Sequence, residues 1–392
     1  MNIIIFEDQF TCNLKPFTYN HASFEVKTGL MSNLDRFNTL FADEKIYLIV
    51  RPEIKNLIKE KFPSFIVNPK IIPQGFCING KVVWKKEYKN LYLNDNDYIQ
   101  DDALLVYNNI KSISIDDFFI KISSKFTSNN KHSIVSINYL WDAIDLFEEI
   151  LNDDFNEYPS SNNINNYKSV YFINKDNIKI SNHSAIKAGS VLDAENGPII
   201  IGKNVLIDIG SKIQGPVFID NESYIAPGSK IRSNCLIGNS CKIGGEVSNS
   251  IFHAYSNKVH DGFLGHSYVG EWVNIGAGTN NSNLKNNYSQ IKFKFDNREV
   301  QTKRLFLGSM IGDFTRIGIA TMLNTGTFIG FGANVFGSNF QNKFIQSFSW
   351  GDNDKVNFDK FIHTCSIMKK RRKKSLSSIE KDLIQYIYNN IN

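Results

Sequence analysis

The sequence lacks the features that mark exported, membrane-bound or metal-clustered proteins. Its five cysteines show no C-x-x-C spacing, which argues against a redox or metal motif built from them. No apolar run approaches the ~18 residues that a membrane-spanning helix needs. Glu7 and Asp8 stand where a secretory signal would carry basic and then apolar residues. We therefore expect a cytoplasmic protein that does not contact a membrane.

Charge and glycine are also scarce where a nucleotide- or nucleic-acid-binding protein would have them. The net charge is only +5, and much of the positive charge lies in the segment 369–374, so nucleic acid is not an expected partner. That segment is either a solvated linker or a contact for a phosphate group. The first glycine is Gly29, so no glycine-rich phosphate loop follows the opening apolar run of residues 2–6.

A six-residue repeat dominates the middle of the chain. Eight isoleucines recur at this period, and a small side chain or valine stands four places after each one: Ile201, Ile207, Ile213, Ile219, Ile225, Ile231, Ile237 and Ile243. A period of six fits neither a helix nor a lone strand and is typical of a parallel β-helix. In such a coil the branched residue fills the interior and the small one lies beside a corner. Cys235 and Cys241 occupy the small-residue position, which predicts that they are buried.

The repeat is interrupted twice further along. It is lost after Val247, returns at Val269 and Ile275, gives way to a polar excursion over residues 281–304, and resumes at Leu305. A β-helix needs no interruption for its stability. We therefore expect two insertions that carry function on a rigid scaffold.

The flanking regions predict further domains. Strand-like runs at 2–6 and 45–51 alternate with helical spacing at 31–41 and 54–62, which indicates an α/β domain over residues 1–160. A helix at 141–151 should close it, before the β-helix domain of residues 170–350. Glu7 and Asp8 could hold Mg²⁺ at a strand end, although solvated loop acids are the more ordinary interpretation. Residues 366–392 form a basic segment and a helix, expected to cap the open β-helix end.

Residues 256–288 concentrate side chains that carry chemistry. Three of the seven histidines fall within 253–266, and asparagines and lysines follow. A metal site made of His253, His260 or His266 would lack a fixed geometry, so we assign no metal. A histidine here could instead make a structural turn hydrogen bond, or act as a general base near neutral pH. The glycines around Ala277 would let a cofactor approach the backbone closely.

Several motifs resemble one family. The stretches HSYVGEWVNIGAGTNNSN, GIATMLNTGTFIG, SNKVHDGFLGH and FIQSFSWGD resemble the GlmU-like uridyltransferase/acetyltransferase family that makes UDP-N-acetylglucosamine. They are most similar to a divergent bacterial and archaeal branch of sugar nucleotidyltransferases, and NLKPFTYNHASFEVKTGL is similar to the opening motif of that branch. The resemblance implies a nucleotidyltransferase-like α/β head followed by a left-handed parallel β-helix of hexapeptide repeats with a short C-terminal helix.

The resemblance also implies roles for individual residues. In the family pattern a histidine that acts as the general base lies three residues before a tyrosine. Tyr268 matches the tyrosine, but Gly265 stands at the histidine position. His266 and His260 are then the two alternatives for the base. Asn283 matches the asparagine that supports the acetyl carbonyl, and Asn274 matches a substrate contact. Ala277 matches the alanine whose backbone meets the pantetheine arm of CoA. From the residues of the stretch alone, we add Gly278 as a cofactor contact and Lys258 and Lys285 as substrate contacts.

The implied function is acetyl-CoA-dependent N-acetylation of an aminosugar-1-phosphate such as glucosamine-1-phosphate. A homotrimer would place the excursion of one subunit over the coils of the next. The head would join a sugar phosphate to UTP or another NTP, with Mg²⁺, if it is active. It lacks the family's glycine loop; Lys15 or Lys27 could replace a phosphate contact, and Asp101 and Asp102 are candidate metal ligands. The alternative is a non-catalytic β-helix scaffold that binds a sugar nucleotide.

Overall fold

The computed structural model describes residues 1–85, 88, 98–100, 103–124, 134–159, 164, 167–337, 339–352 and 354–390. The chain forms an α/β head, a β-helix and two C-terminal helices. Among the described residues, no helix combines the length and apolar character required to cross a bilayer.

The head is built on a six-stranded mixed sheet. Its strands in spatial order are Ile66–Val67, Lys45–Ile49, Asn2–Phe6, Gly75–Asn79, Ala103–Asn109 and Tyr98–Gln100. The first four strands run parallel to one another. Ala103–Asn109 pairs antiparallel with both of its neighbours, Gly75–Asn79 and Tyr98–Gln100. Two short strand pairs lie outside this sheet, Lys27–Thr28 with Met31–Ser32, and Ile71–Ile72 with Ile113–Ser114. The predicted strands at 2–6 and 45–51 are confirmed.

Five α-helices accompany the sheet in the described part of the head: Asn33–Leu40, Lys55–Lys61, Ile115–Ile122, Leu140–Asp145 and Phe147–Phe155. The N-cap of the first helix is Ser32, whose hydroxyl accepts from the Asp35 N–H in a capping box. The predicted helices at 31–41 and 54–62 are confirmed in shortened form. The single helix predicted at 141–151 is wrong, because the chain breaks into two helices at Leu146.

The β-helix has three faces, each a ladder of short parallel strands, except that the last two strands of face 3 pair antiparallel. Face 1 contains Tyr171–Ile173, Val191–Asp193, Lys212–Gln214, Lys230–Ile231, Glu246–Ser248 and Phe263–Gly265, and the pair Asn280–Asn281 and Met322–Leu323 continues it. Face 2 contains Ile178–Ile180, Ile199–Ile201, Val217–Ile219, Cys235–Ile237, Ser250–Ala254, Tyr268–Glu271, Ser309–Ile311, Thr327–Ile329 and Phe344–Ile345. Face 3 contains Ala185–Ile186, Leu206–Ile207, Tyr224–Ile225, Lys242–Ile243, Asn257–Lys258, Asn274–Ile275, Arg316–Ile317, Asn334–Val335, Ser349–Trp350 and Asp354–Lys355.

The repeat predicted the interior correctly. All eight isoleucines from Ile201 to Ile243 are at most 1% exposed and belong to one continuous core. Cys235 and Cys241 are buried as predicted, and burial raises the pKa of each thiol to about 12. Neither cysteine is therefore a thiolate at neutral pH. The predicted left-handed parallel β-helix behind an α/β head is the fold of this chain.

Only one of the two predicted insertions exists. After Val247 the coil continues without interruption: Cys235 pairs with Ser250, and Ile243 pairs with Lys258. This coil is three residues shorter than the preceding one, in which Val217 pairs with Cys235, and the shortening is what shifts the sequence register. The excursion is real and contains a hairpin of Lys292–Lys294 and Glu299–Gln301. The coil resumes at Ser309–Ile311 rather than at Leu305, which is exposed.

The head packs against the outside of face 2. One outward residue per coil forms an apolar column on this face: Ile200, Phe218, Leu236, Ile251, Tyr268, Met310 and Phe328. All are buried in one cluster with head residues that include Phe17, Trp141 and Phe147. Burial of each such side chain contributes about 1.5–3 kcal/mol. The excursion joins the same interface, where Phe293 packs on Trp141 with ring centroids 5.0 Å apart.

The C-terminal helices Phe358–Lys370 and Ser378–Asn390 lie between the head and the β-helix. Phe361 packs on the outer rings of Phe314 and Phe331. Leu383, Ile384 and Ile387 join the cluster that contains the head helix Lys55–Lys61. The predicted helix is confirmed. Its expected place over the open β-helix end is wrong, because its apolar face is buried against the head instead.

Candidate functional site

A buried charge network joins the head to the β-helix, and His21 is its centre. The His21 Nε2 atom lies 2.8 Å from Asp313 Oδ2, and Nδ1 lies 3.1 Å from Glu25 Oε2. The ring stacks on Phe17 with centroids 4.1 Å apart. Burial and Lys61 lower the pKa of His21, but Asp313 and Glu25 outweigh them and raise it to about 9. His21 is therefore a buried cation at neutral pH.

The partners of His21 are themselves paired. Lys61 Nζ donates to Glu25 Oε2 at 2.9 Å. Burial raises the pKa of Glu25, whereas Lys61 and His21 lower it more strongly, to about 2. Asp313 accepts from Asn20 Nδ2 at 2.9 Å and from the Glu271 N–H at 2.8 Å. Each charge of the network faces an opposite charge, which is the condition under which buried charges are tolerated. The Lys61 side chain keeps 26% of its surface exposed, and Asn20 Oδ1 has no hydrogen-bond partner among the described residues.

This network also contains a possible cation-binding geometry. The ligand atoms of His21, Glu271 and Asp313 lie within 4.8 Å of one another. The Lys61 ammonium already lies 3.1 Å from His21 Nδ1 and supplies positive charge beside these carboxylates. The atoms that could bind a cation are thus already used by the ion pairs of the network.

The segment 13–30, which resembles the opening motif of the divergent branch, docks the head onto face 2. Its histidine, His21, followed no periodic pattern, so no signal in the sequence indicated this role.

The acids at the strand ends of the head are buried rather than solvated. Ligands of open α/β sheets bind at this edge. Glu7 accepts from the Arg51 guanidinium and from the Ser23 N–H, both at 2.8 Å. Asp8 accepts from Asn79 Nδ2 at 2.7 Å and lies 3.1 Å from Lys81 Nζ. The expectation of solvated loop acids is wrong.

The other head candidates are engaged elsewhere or not described. Lys27 Nζ donates to the His253 carbonyl at 3.2 Å, and the Lys15 ammonium lies over the Tyr19 ring. Asp101 and Asp102 lie outside the described residues.

His266 and Asn283 meet at the corner between faces 1 and 2. The Asn283 amide lies 2.9 Å from His266 Nδ1, and the His266 ring stacks on Phe306. Burial lowers the pKa of the half-buried His266, which keeps the ring neutral at pH 7. A Cβ on Gly265 would lie 2.7 Å from Asn283 Nδ2. A side chain at position 265 would therefore displace the Asn283 amide or the Phe263 ring.

His260 lies at a different corner, between faces 3 and 1, and is exposed. The turn of Ala277 and Gly278 stacks on it, since the Gly278 N–H donates to the Asp261 carbonyl at 2.8 Å. Lys258 supports this corner from inside the β-helix. Its ammonium donates to the carbonyls of Gly244, His260 and Gly262 at 3.0, 3.2 and 2.6 Å. Burial lowers the pKa of Lys258 to about 8.

The remaining predicted residues are dispersed. Asn274 is exposed on face 3. Lys285 lies in the excursion and donates to the Gln290 carbonyl at 2.8 Å. Tyr268 is fully buried under the head, where its hydroxyl accepts from the Lys27 N–H at 3.3 Å and burial raises its pKa. A substrate could reach Tyr268 or the Lys258 ammonium only if the structure opened. The structure therefore separates the predicted residues into two corners, one face, the excursion and the interface under the head.

The chain is similar to several known transferases. Residues 3–161 match the family model described as sugar nucleotidyl transferase. A bifunctional sugar-1-phosphate nucleotidylyltransferase/acetyltransferase of Sulfurisphaera tokodaii is 33% identical over 97 residues, 24% of either chain. The bifunctional protein GlmU of Wigglesworthia glossinidia brevipalpis is 24% identical over 340 residues, 82% of this chain and 68% of that one. The uncharacterized acetyltransferase YaiX of Escherichia coli K12 is 30% identical over 196 residues, 50% of this chain and 78% of that one.

The match spans about a quarter of the length of the first relative. Among solved structures, a UDP-N-acetylglucosamine acyltransferase from Campylobacter jejuni aligns over 57% of this chain and 93% of that one, at 13% identity. Its TM-score of 0.31 is too low to support an argument. The nucleotidyltransferase-type head and the hexapeptide β-helix together define a transferase. The chain belongs to the family of the acetyltransferase YaiX, of which it covers 78% at 30% identity, and it is similar to the bifunctional GlmU over most of its own length.

Proposed function

We propose that the protein transfers the acetyl group of acetyl-CoA to the amine of an aminosugar-1-phosphate, with glucosamine-1-phosphate as the first candidate, in the cytoplasm. The observation that carries the proposal is the contact between His266 and Asn283 at a partly exposed corner. These are two of the four residues that the sequence assigned to catalysis. They are 17 positions apart and meet because successive coils stack.

The chemistry requires a proton acceptor and an oxyanion donor. The amine loses a proton as its nitrogen attacks the thioester carbonyl, and a neutral imidazole is suited to accept that proton. The lowered pKa of His266 keeps it neutral. The Asn283 side chain can turn so that its oxygen accepts from Nδ1–H, which leaves Nε2 free to take the proton. When the amide instead faces the reacting carbonyl, its N–H can stabilise the oxyanion; such a donor is worth ~10²–10³ in turnover.

His260 remains the alternative base. It is exposed and lies beside Ala277 and Gly278, the residues assigned to the pantetheine arm of CoA. Gly278 has positive φ, and a Cβ built on it would touch Ala320 of the next coil at 3.7 Å. Because Gly278 carries no side chain, a cofactor chain could lie close to the backbone of this turn. The two histidines occupy different corners of the prism, so mutation of each separately distinguishes them.

The test is CoA release from acetyl-CoA with glucosamine-1-phosphate as acceptor. We expect release that depends on the acceptor and saturates with it. His183→Ala is the matched control, because His183 is an exposed corner histidine with positive φ in the first coils. If no aminosugar phosphate raises release above the hydrolysis rate without acceptor, the proposal is wrong, and a sugar-nucleotide-binding scaffold becomes the better interpretation.

A second activity is proposed for the head, the joining of N-acetylglucosamine-1-phosphate to UTP or another NTP with Mg²⁺. The family match over residues 3–161 supports it. The missing glycine loop and the paired charges of Glu7 and Asp8 argue against it. Pyrophosphate release with each of the four NTPs tests it. A flat trace with all four would leave the head as a docking domain.

We also propose that the protein is a homotrimer. Face 2 is covered by the chain's own head and part of face 3 by the helix Phe358–Lys370, which leaves face 1 and the rest of face 3 for contact between subunits. Side-by-side packing of three prisms would enclose corners that are open in one chain. Light scattering should give about three times the 44.7 kDa chain mass. A monomer that transfers acetyl groups would contradict a site shared between subunits.

A further inference from the structure

A cavity of about 340 Å³ lies on face 3, away from the His266 corner. It opens between the strands Lys242–Ile243 and Asn257–Lys258 and the end of the helix Phe358–Lys370. Three cations line it, Lys242, Arg371 and Arg372. Its volume is within the range of small-molecule sites.

The three cations have no carboxylate partner among the described residues. Arg372 donates to Asn257 Oδ1 at 2.7 Å, which holds the guanidinium toward the cavity wall. Burial, and then the neighbouring arginines, lower the pKa of Lys242. Lysines on other coils differ, since Lys187 pairs with Asp208 and Lys230 with Glu246. The cavity therefore holds positive charge that the chain itself does not neutralise.

Two neighbouring features make this a shaped site rather than a loose basic patch. Tyr255 and Trp272 form a rigid wall, with their rings stacked 4.4 Å apart and 3° from parallel. Arg316 follows Asn274 in the next coil of face 3, where its guanidinium lies over the Phe361 ring and next to Cys365, so that it adds positive charge beside the cavity without lining it. Uncompensated cations held beside a rigid aromatic wall indicate an anionic ligand.

We propose that this cavity binds the phosphate monoester of a small ligand. Guanidinium groups bind phosphate oxygens through two parallel hydrogen bonds, and Lys242 and the asparagine side chains supply further donors. The proposal goes beyond acetyl transfer, because it requires no reaction at either histidine corner. The same chemistry occurs in a sugar-1-phosphate, in the 3′-phosphate of CoA and in inorganic phosphate.

Titration calorimetry of the full chain at low salt tests the proposal, with inorganic phosphate, glucosamine-1-phosphate, CoA and dephospho-CoA as separate probes. We expect saturable binding of at least one phosphate monoester and a weakening of tenfold or more in Arg372→Gln and in Lys242→Gln. Lys230→Gln removes the same charge outside the cavity and should bind as the wild type does. A preference for CoA over dephospho-CoA identifies the 3′-phosphate as the source, and saturable binding of glucosamine-1-phosphate or inorganic phosphate without that preference identifies a sugar phosphate or free phosphate. Equal binding of CoA and dephospho-CoA with no binding of the other two probes would contradict the proposal, because dephospho-CoA has no phosphate monoester.

The proposal is overturned if none of the four probes binds saturably, or if both variants bind as tightly as the wild type while circular dichroism shows them folded. Binding by His266→Ala separates this site from the proposed reaction. If that variant binds phosphate normally and no acetyl transfer is detected in the wild type, the proposed function fails while the cavity stands.

Discussion

The interface under the head and the cavity on face 3 are both rich in charge, but they treat that charge in opposite ways. At the interface His21, Lys61, Glu25 and Asp313 neutralise one another, and all but Lys61 are buried. In the cavity Arg371, Arg372 and Lys242 repel one another. Paired buried charges hold the head and the β-helix in one arrangement, whereas the unpaired cations of the cavity favour binding of an anion. Proximity of charged residues alone would not separate these roles.

The largest expected effect follows from removal of one member of the paired set. Asp313→Ala leaves the His21 cation buried without its nearest carboxylate, and such a loss costs about 3–5 kcal/mol. We expect a lower urea midpoint for separation of the head from the β-helix. Asp352→Ala removes an exposed acid and should leave the midpoint unchanged. Equal midpoints for the two variants would show that the network does not hold the interface.

Next in size is the pH dependence of the same interface. The folded pKa of His21, about 9, exceeds its usual 6.5, so its contribution is complete below pH 6.5 and is lost as pH rises through 9. The pKa of Glu25, about 2, is below its usual 4.5, so its contribution is complete above pH 4.5 and is lost as pH falls toward 2. Thermal stability should therefore peak between pH 4.5 and 6.5. His21→Asn should flatten the alkaline limb; an unchanged limb would contradict the assignment.

A smaller effect is expected at Lys258, the one interior position that breaks the isoleucine column beside Ile243. The Lys258 ammonium donates to three carbonyls, and Met at this position would leave them without that donor. Lys258→Met should therefore lower the free energy of unfolding by about 1–3 kcal/mol. Because the corner carbonyls lose their donor, amide hydrogen exchange at residues 260–262 should accelerate. Ile243→Lys is the converse control and should be strongly destabilising.

The smallest effect is expected in the cavity. Arg372→Gln removes one of several like charges. At low salt the free energy of unfolding should therefore be unchanged or slightly higher, by no more than about 0.5 kcal/mol. Added salt should screen the repulsion and stabilise the wild type more than the variant. Differential scanning calorimetry at two salt concentrations measures both. A clear loss of stability in Arg372→Gln would mean that the cavity is paired like the interface.

The sequence predicted what is periodic and missed what is not. The interior isoleucines follow from a strict six-residue spacing, because each hexapeptide places one side chain inside the prism. The apolar column of face 2 also repeats, at Ile200, Phe218 and Leu236, and this was the available signal for the docked face. The His21 network could not be predicted, since His21, Glu271 and Asp313 come from distant segments without a pattern. The short coil likewise shifted the spacing and looked like an insertion.

The candidate site shows the same division. The resemblance selected His266 and Asn283, and stacking of coils places them together. It also selected Tyr268 and Lys258, whose burial depends on the docked head and on the short coil. Sequence motifs carry side-chain identity, but exposure depends on packing between segments that the motif does not contain.

The most direct test is the rate of acceptor-dependent CoA release by His266→Ala and His260→Ala, measured in parallel with the wild type. The proposed role of His266 as general base predicts a loss of about 10²–10⁴-fold in kcat for His266→Ala. It predicts little change in kcat for His260→Ala. A full rate in His266→Ala, with the loss confined to His260→Ala, would contradict the assignment of catalysis to the His266–Asn283 corner.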